Sequence, residues 1–210
     1  MNPRTRLANL ALLAALIGGA TYLLADRLPI SPAAGLAWKG SGVGFLAAYA
    51  ALSARTFDGW LLTAVMALGA TGDVLLGAMG LTAGGAVFFA GHLVAIGLYL
   101  RNRRTGASRG DLMSAALLAP LVAILAFRLT LNPGVALYGL GLGAMAATAQ
   151  VSRFPRGWVG LGALMFVASD LLLFARTGPL AGAVWLGPAI WSLYFVGQAL
   201  ICVGVVRGRK

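Results

Sequence analysis

The sequence predicts an all-α integral membrane protein of eight transmembrane helices, on three observations. Hydrophobic residues make up 60% of the 210 residues and charged residues only 10%, with a mean hydropathy of +0.89. That balance excludes a soluble globular domain. Charges, prolines and glycines cut the chain into apolar segments near the length of a bilayer crossing. Basic residues then gather in alternate connections, as they do in a multi-pass topology.

The first segment, 7–24, follows Arg4 and Arg6 in the manner of a signal peptide. No small-x-small cleavage site stands at Leu23-Leu24-Ala25-Asp26, which predicts a retained first helix. The second, 33–52, begins beyond Pro29 and Pro32. The third, 60–77, follows the polar stretch Arg55 to Asp58, and Gly84-Gly85 separates it from the fourth, 84–100. Asn132-Pro133 joins the fifth, 112–130, to the sixth, 134–152, a turn short enough to make them antiparallel neighbours. Pro155 precedes the seventh, 157–175, and Gly178-Pro179 precedes the eighth, 185–206. The 30 glycines suit helices packed closely in lipid.

Charge sets the direction. With the N-terminus inside, the inner connections hold Arg4, Arg6, Arg55, Arg101, Arg103, Arg104, Arg109, Arg153, Arg156, Arg207, Arg209 and Lys210. The outer face keeps Arg27, Arg128 and Arg176, while Lys39 falls within the second helix. This bias predicts N-in and C-in, and therefore an even number of spans in the inner (cytoplasmic) membrane. The net charge of +11 is spread over short loops in the way of topology signals, so no nucleic acid is expected as a partner. Cys202 is the single cysteine. It excludes an intrachain disulfide and predicts a small apolar packing residue in the last helix. No cofactor and no protein partner is predicted.

The chemistry concentrates on two aspartates. All five acidic residues are Asp, and Asp73 and Asp170 sit inside apolar helices, where a carboxyl costs about 2.5–3.5 kcal/mol on insertion scales. Their surroundings match: Gly72-Asp73-Val74-Leu75-Leu76 and Ser169-Asp170-Leu171-Leu172-Leu173. Each is followed by a helix with Phe-x-Gly and a polar residue, Phe89 to His92 and Phe195 to Gln198. The pattern predicts a single eight-helix domain, 1–210, with parallel repeat halves 1–104 and 105–210 about an axis along the membrane normal. Such an axis would turn Asp73 and Asp170 toward each other. Asp73, Asp170 and Lys39 fall in the outer half, with His92, Tyr194 and Gln198 at middle depth. Tyr194 and Gln198 share a helix face, and Ser169 adjoins Asp170. These residues are expected to form one polar pocket opening toward the outer leaflet. Each also has a structural alternative: the aspartates as helix-end caps, Lys39 snorkelling to the interface, and His92, Tyr194 and Gln198 as interhelical hydrogen-bond partners.

At these residues the chain resembles the YhhN family, the bacterial relatives of mammalian lysoplasmalogenases. The resemblance rests on Gly72-Asp73 with Leu75-Leu76 and on Phe88 to His92. It continues through Gly162-Ala163-Leu164-Met165-Phe166 into Ser169-Asp170, and ends on Tyr194 with Gln198. Lys39 matches a family lysine, although Gly40 stands where the family pattern has proline. The resemblance implies a membrane hydrolase that takes a lysophospholipid from the surrounding lipid. It would cleave the vinyl ether of a lysoplasmalogen to a fatty aldehyde and glycerophosphoethanolamine or glycerophosphocholine.

The residues suit that reaction. Vinyl ether hydrolysis needs a proton donor for the outer alkene carbon and a carboxylate to stabilise the resulting cation and activate water. Two carboxyls in a low-dielectric site divide those tasks, because they resist ionising together. Glycosidases treat a similar cation in the same way. Asp73 and Asp170 are therefore expected to be catalytic, in an order the sequence leaves open, with His92 orienting or recharging one of them. Tyr194 and Gln198 would position water or glycerol, Ser169 would support Asp170, and Lys39 would attract the lipid phosphate.

Two rival classes remain at this stage. Two Asp and one His are a ligand set for Zn²⁺ in a metal-dependent hydrolase, but no His-x-x-x-His spacing accompanies them. A proton-coupled transporter also uses membrane acids and parallel repeats. It would need a continuous polar path, and the inner halves of the third and seventh helices are almost purely apolar.

Overall fold

The computed structural model describes residues 2–208. Arg209 and Lys210, counted above with the inner-face charges, lie outside the described residues. Among the described residues the chain is all helical: α1 (Pro3–Thr21), α2 (Pro32–Ser53), α3 (Phe57–Met79), α4 (Leu81–Arg101), α5 (Arg109–Thr130), α6 (Pro133–Gln150), α7 (Leu161–Ala175) and α8 (Leu186–Gly208). A 3-10 turn, Tyr22–Arg27, extends α1, and one π-helical turn, Arg156–Gly160, leads into α7.

Local sequence explains where the helices start. Asn2, Ser31 and Asn132 cap α1, α2 and α6 through their side chains, each followed by a proline in the first turn. Proline has no N–H to leave unsatisfied there and its φ is already helical. A reciprocal capping box of Ser108 and Asp111 opens α5.

One boundary differs from expectation. The break between α3 and α4 is Gly80, at φ +85°, and Gly84 and Gly85 lie inside the first turns of α4. Gly84 is there for proximity: a Cβ would come within 2.6 Å of the Leu76 backbone. A glycine pair that reads as a breaker is thus half packing surface.

Six segments are long and apolar enough to cross a membrane: Pro3–Arg27, α3, α4, α5, Arg156–Ala175 and α8. Four glycines each dilute α2 and α6, with Lys39 and Ser41 in the first and Gln150 in the second. Both of these helices pack closely on their neighbours. Gly139 and Gly143, four apart, let α6 lie against Ala126 and Ala119 of α5, the small-xxx-small contact of membrane helices. Large apolar side chains point outward all along α1 and α5 (Leu7, Leu10, Leu13; Leu117, Leu121, Ile124). A water-facing surface would not tolerate such a stripe.

The chain divides into two compact units, Met1–Val94 and Ala95–Lys210, with the boundary inside α4. In the first, Arg4 donates to the carbonyls of Leu52 and Ala54 at the end of α2 (2.8 and 3.0 Å), where a cation complements the helix dipole. In the second, Asp111 pairs with Arg104 and Arg156, both at 2.8 Å, and the Arg153 Nε donates to Asn102 Oδ1 at 2.6 Å. These arginines, expected only as topology anchors, also tie the 102–108 loop to the start of α5 and the turn before α7. Cys202 is fully buried, as expected.

The two hairpins α3–α4 and α7–α8 repeat a detail of packing. A Cβ at Gly91 would face Val65 and Leu68, eight and five residues before Asp73. A Cβ at Gly197 would face Gly162 and Met165, eight and five residues before Asp170. The Phe-x-Gly motif therefore marks the same crossing point relative to each aspartate.

Candidate active site

Each unit buries one carboxyl. In the first, Asp73 lies on α3 and is 2% exposed. Its neighbour Gly72 makes room for the Phe88 ring of α4, where a Cβ would sit 3.0 Å from three ring atoms. Gly40 faces Val74 and Ala70, Gly44 faces Ala70, and Leu36 fills the notch at Gly77. That antiparallel register sets Lys39, half-buried on α2, at the level of Asp73. Tyr22 lies within electrostatic range of Asp73. His92 is buried. It follows Gly91, which packs on Leu68, and so sits about 7.5 Å further along the helix axis than Asp73, at 1.5 Å per residue.

In the second unit Asp170 is 7% exposed on α7. The Tyr138 hydroxyl on α6 donates to its Oδ2 at 2.6 Å. Phe174, one turn beyond Asp170, meets the Tyr138 ring edge-to-face at 5.8 Å between centroids. Phe166, one turn before Asp170, meets Tyr194 in the same way at 5.1 Å. Tyr194 lies within electrostatic range of Tyr138 and packs on Trp191, centroids 5.7 Å apart. Asp170 thus stands in a wall of aromatic rings carrying two hydroxyl groups.

The other expected site residues separate by role. Ser169 donates to the Ile190 carbonyl at 2.9 Å, which pins α7 to α8 and spends the hydroxyl on structure. Gln198 is level with Gly162 at the glycine crossing, eight residues and about 12 Å along the helix axis from Asp170. Its Oε1 is buried and has no hydrogen-bond partner among the described residues. An orphan acceptor of that kind is uncommon in a folded interior. Among the described residues, no three His, Cys, Asp or Glu side chains come together as a metal-binding group.

Tyr138 is the residue that sequence reasoning missed. It is a lone tyrosine among the Gly, Ala and Leu of α6, and no motif surrounds it. The signal available was positional: the expected topology puts the sixth residue of the sixth helix at the level expected for Asp170.

The arrangement defines a class: a polytopic helical membrane protein whose two units each bury a carboxyl beside a glycine-packed hairpin. A buried acid with one hydroxyl donor and aromatic walls is equipped for proton transfer to an apolar ligand. The chain belongs to the YhhN family, whose model matches residues 34–205. It is also similar to two proteins named lysoplasmalogenase, from Mycobacterium bovis (strain ATCC BAA-935 / AF2122/97) and Mycobacterium tuberculosis (strain CDC 1551 / Oshkosh). Each is 33% identical over 165 residues, which cover 72% of this chain and 62% of the relative. No solved structure shows a significant match.

Proposed function

We propose that this protein is a lysoplasmalogenase-like hydrolase of the membrane, cleaving the vinyl ether of a lysophospholipid. Family membership and the two lysoplasmalogenase relatives support the reaction class. The observation that carries the site is the burial of Asp73 and Asp170, 2% and 7% exposed, at equivalent places in two like hairpins. The reading takes all eight helices as spans, with N- and C-termini inside and the aspartates in the outer half.

One carboxyl protonates the outer alkene carbon, giving an oxocarbenium ion at the carbon bonded to oxygen. The other carboxyl, ionised, stabilises that cation and takes a proton from the attacking water. The hemiacetal so formed collapses to a fatty aldehyde and the glycerol hydroxyl. Oriented carboxyls in a water-poor site supply the electrostatic part of such a barrier. In this reading Tyr194 holds water or the glycerol backbone, and Lys39 attracts the phosphate. His92 orients or recharges a carboxyl from its deeper level, and Ser169 serves by fixing α7.

The test is aldehyde release from 1-alkenyl lysophosphoethanolamine by the purified full chain in lipid nanodiscs. The saturated 1-alkyl ether is the control. Turnover of the alkenyl lipid alone supports the reading, and no turnover of either overturns it.

A further inference from the structure

One end of the second unit carries more positive charge than the unit's acids neutralise. Arginines gather there: Arg103 and Arg104 after α4, Arg109 at the start of α5, Arg153 and Arg156 before α7, and Arg207 near the end of α8. Backbone pairing holds the two loops together. Arg103 bridges to Ser152, the Arg104 N–H donates to the Val151 carbonyl at 2.9 Å, and the Arg153 N–H donates to that of Asn102 at 2.7 Å. Arg207 lies over the Trp158 ring, 5.4 Å from its centroid. The acids of this unit are Asp111 and Asp170, and Asp170 is buried within α7. Asp111 is engaged at both oxygens, Oδ1 by Arg156 and Oδ2 by Arg104. Arg103 and Arg109 stand exposed beside that occupied carboxylate.

These charges border both a hollow and an apolar stripe. Arg103, Arg104, Thr105, Gly106 and Ala107 line a concavity of about 350 Å³. The N–H groups of Thr105 and Gly106 donate to no acceptor among the described residues. Guanidinium groups and backbone N–H donors together are the chemistry that receives a phosphate. Along α5 from Arg109, at steps of four, come Met113, Leu117 and Leu121, all exposed. Residues four apart share a helix face, so the cation and the alkyl surface form one continuous track. Exposed Trp158 at the same end is the residue type that settles at the headgroup level of a bilayer.

We propose that this end of the second unit binds an anionic phospholipid. Its phosphate sits in the Arg103–Ala107 hollow near Arg109, and its acyl chains run along Met113, Leu117 and Leu121. The site is separate from the buried carboxyls and does not depend on the hydrolase reading. A zwitterionic lipid brings its own cation and leaves the surplus arginine charge unmatched, so the site selects net negative headgroups.

Lipid titration of the purified full chain in detergent, followed by native mass spectrometry, tests the assignment with phosphatidylglycerol and phosphatidylcholine. The wild type is expected to bind phosphatidylglycerol about tenfold or more tightly than phosphatidylcholine. The double variant Arg103→Gln, Arg109→Gln leaves both Asp111 pairs in place. It should raise the Kd for phosphatidylglycerol about twentyfold, roughly fivefold per cation, and leave phosphatidylcholine binding unchanged. Arg103→Gln alone, in an exposed loop, should raise it about fivefold should the double variant fail to fold. Arg128→Gln with Arg176→Gln, at the other ends of α5 and α7, should change nothing. Equal binding of the two lipids, wild-type affinity in the folded Arg103 variants, or an equal loss in the Arg128 and Arg176 control would overturn the proposal. Displacement of the lipid by millimolar inorganic phosphate would reduce the site to a plain anion site and overturn the lipid assignment.

Discussion

Gly162 and Gly197 meet backbone to backbone. A Cβ on Gly162 would lie 2.6 Å from the Gly197 carbonyl oxygen, and a Cβ on Gly197 would lie 2.7 Å from that of Gly162. This crossing, eight residues before Asp170, sets the depth at which α8 presents Tyr194 and Gln198. It has a looser counterpart in the first unit, where a Cβ on Gly91 would lie 3.4 Å from Leu68 Cβ.

The difference in clearance predicts different responses to alanine. Gly162→Ala and Gly197→Ala force backbone apart and should each destabilise by about 1–3 kcal/mol, in the range of overpacked cores. Gly91→Ala meets ordinary contact and gains helix propensity, so it should be neutral or stabilising by up to about 1 kcal/mol. Thermal unfolding in detergent, followed by circular dichroism, ranks the three. Equal losses would mean that the two crossings are not distinguished by clearance.

Gly84 and Gly85 make a sharper pair because they are adjacent. A Cβ at Gly84 collides with the Leu76 backbone, and one at Gly85 meets nothing within 4 Å. Gly85→Ala should leave the melting temperature unchanged or raise it, and Gly84→Ala should lower it. The reverse order would contradict the packing of α3 on α4.

Much of this fold is legible in the sequence, for definite reasons. Membrane helices announce themselves by length and hydropathy, and Pro32 and Pro133 stand in the first turns where proline is favoured. Gly84-Gly85 misleads because glycine serves both to break a helix and to let two approach, and composition does not say which. The aspartates stand out because charge is rare in this chain. Tyr138 does not, since its importance lies in a contact to a residue 32 positions away. The depth of Gln198 is likewise a matter of interhelical register, which follows from the glycine crossing and not from its spacing to Tyr194. Ser169 was legible as a neighbour of Asp170, but its hydroxyl turns to the Ile190 carbonyl.

Kinetics separate two alternative roles for Lys39. As the cation at the level of Asp73, it should act on turnover, so Lys39→Met should lower kcat at least about tenfold, while Lys39→Arg retains part of it. As a phosphate attractor alone, its loss would raise KM and leave kcat in place. Steady-state rates on the lysophospholipid and on a neutral 1-alkenyl glycerol distinguish the two, because only the first carries a phosphate.

Carboxyl chemistry needs no metal ion, and the described residues bring no three metal-ligating side chains together. Activity of the purified protein should therefore survive prolonged treatment with EDTA and dialysis into metal-free buffer. Loss of activity that returns on adding Zn²⁺ would move the reaction to the metal-dependent class.

The central claim is that Asp73 and Asp170 both take part in one hydrolysis. Its most direct measurement is aldehyde release from 1-alkenyl lysophosphoethanolamine by Asp73→Asn and Asp170→Asn proteins, each shown by circular dichroism and gel filtration to fold as the wild type. The account predicts that each single substitution lowers kcat by about 10² or more, the scale of a general acid or base. It also predicts that the double variant is little worse than either, as for groups acting as a unit. Near-wild-type turnover by either folded variant would contradict it.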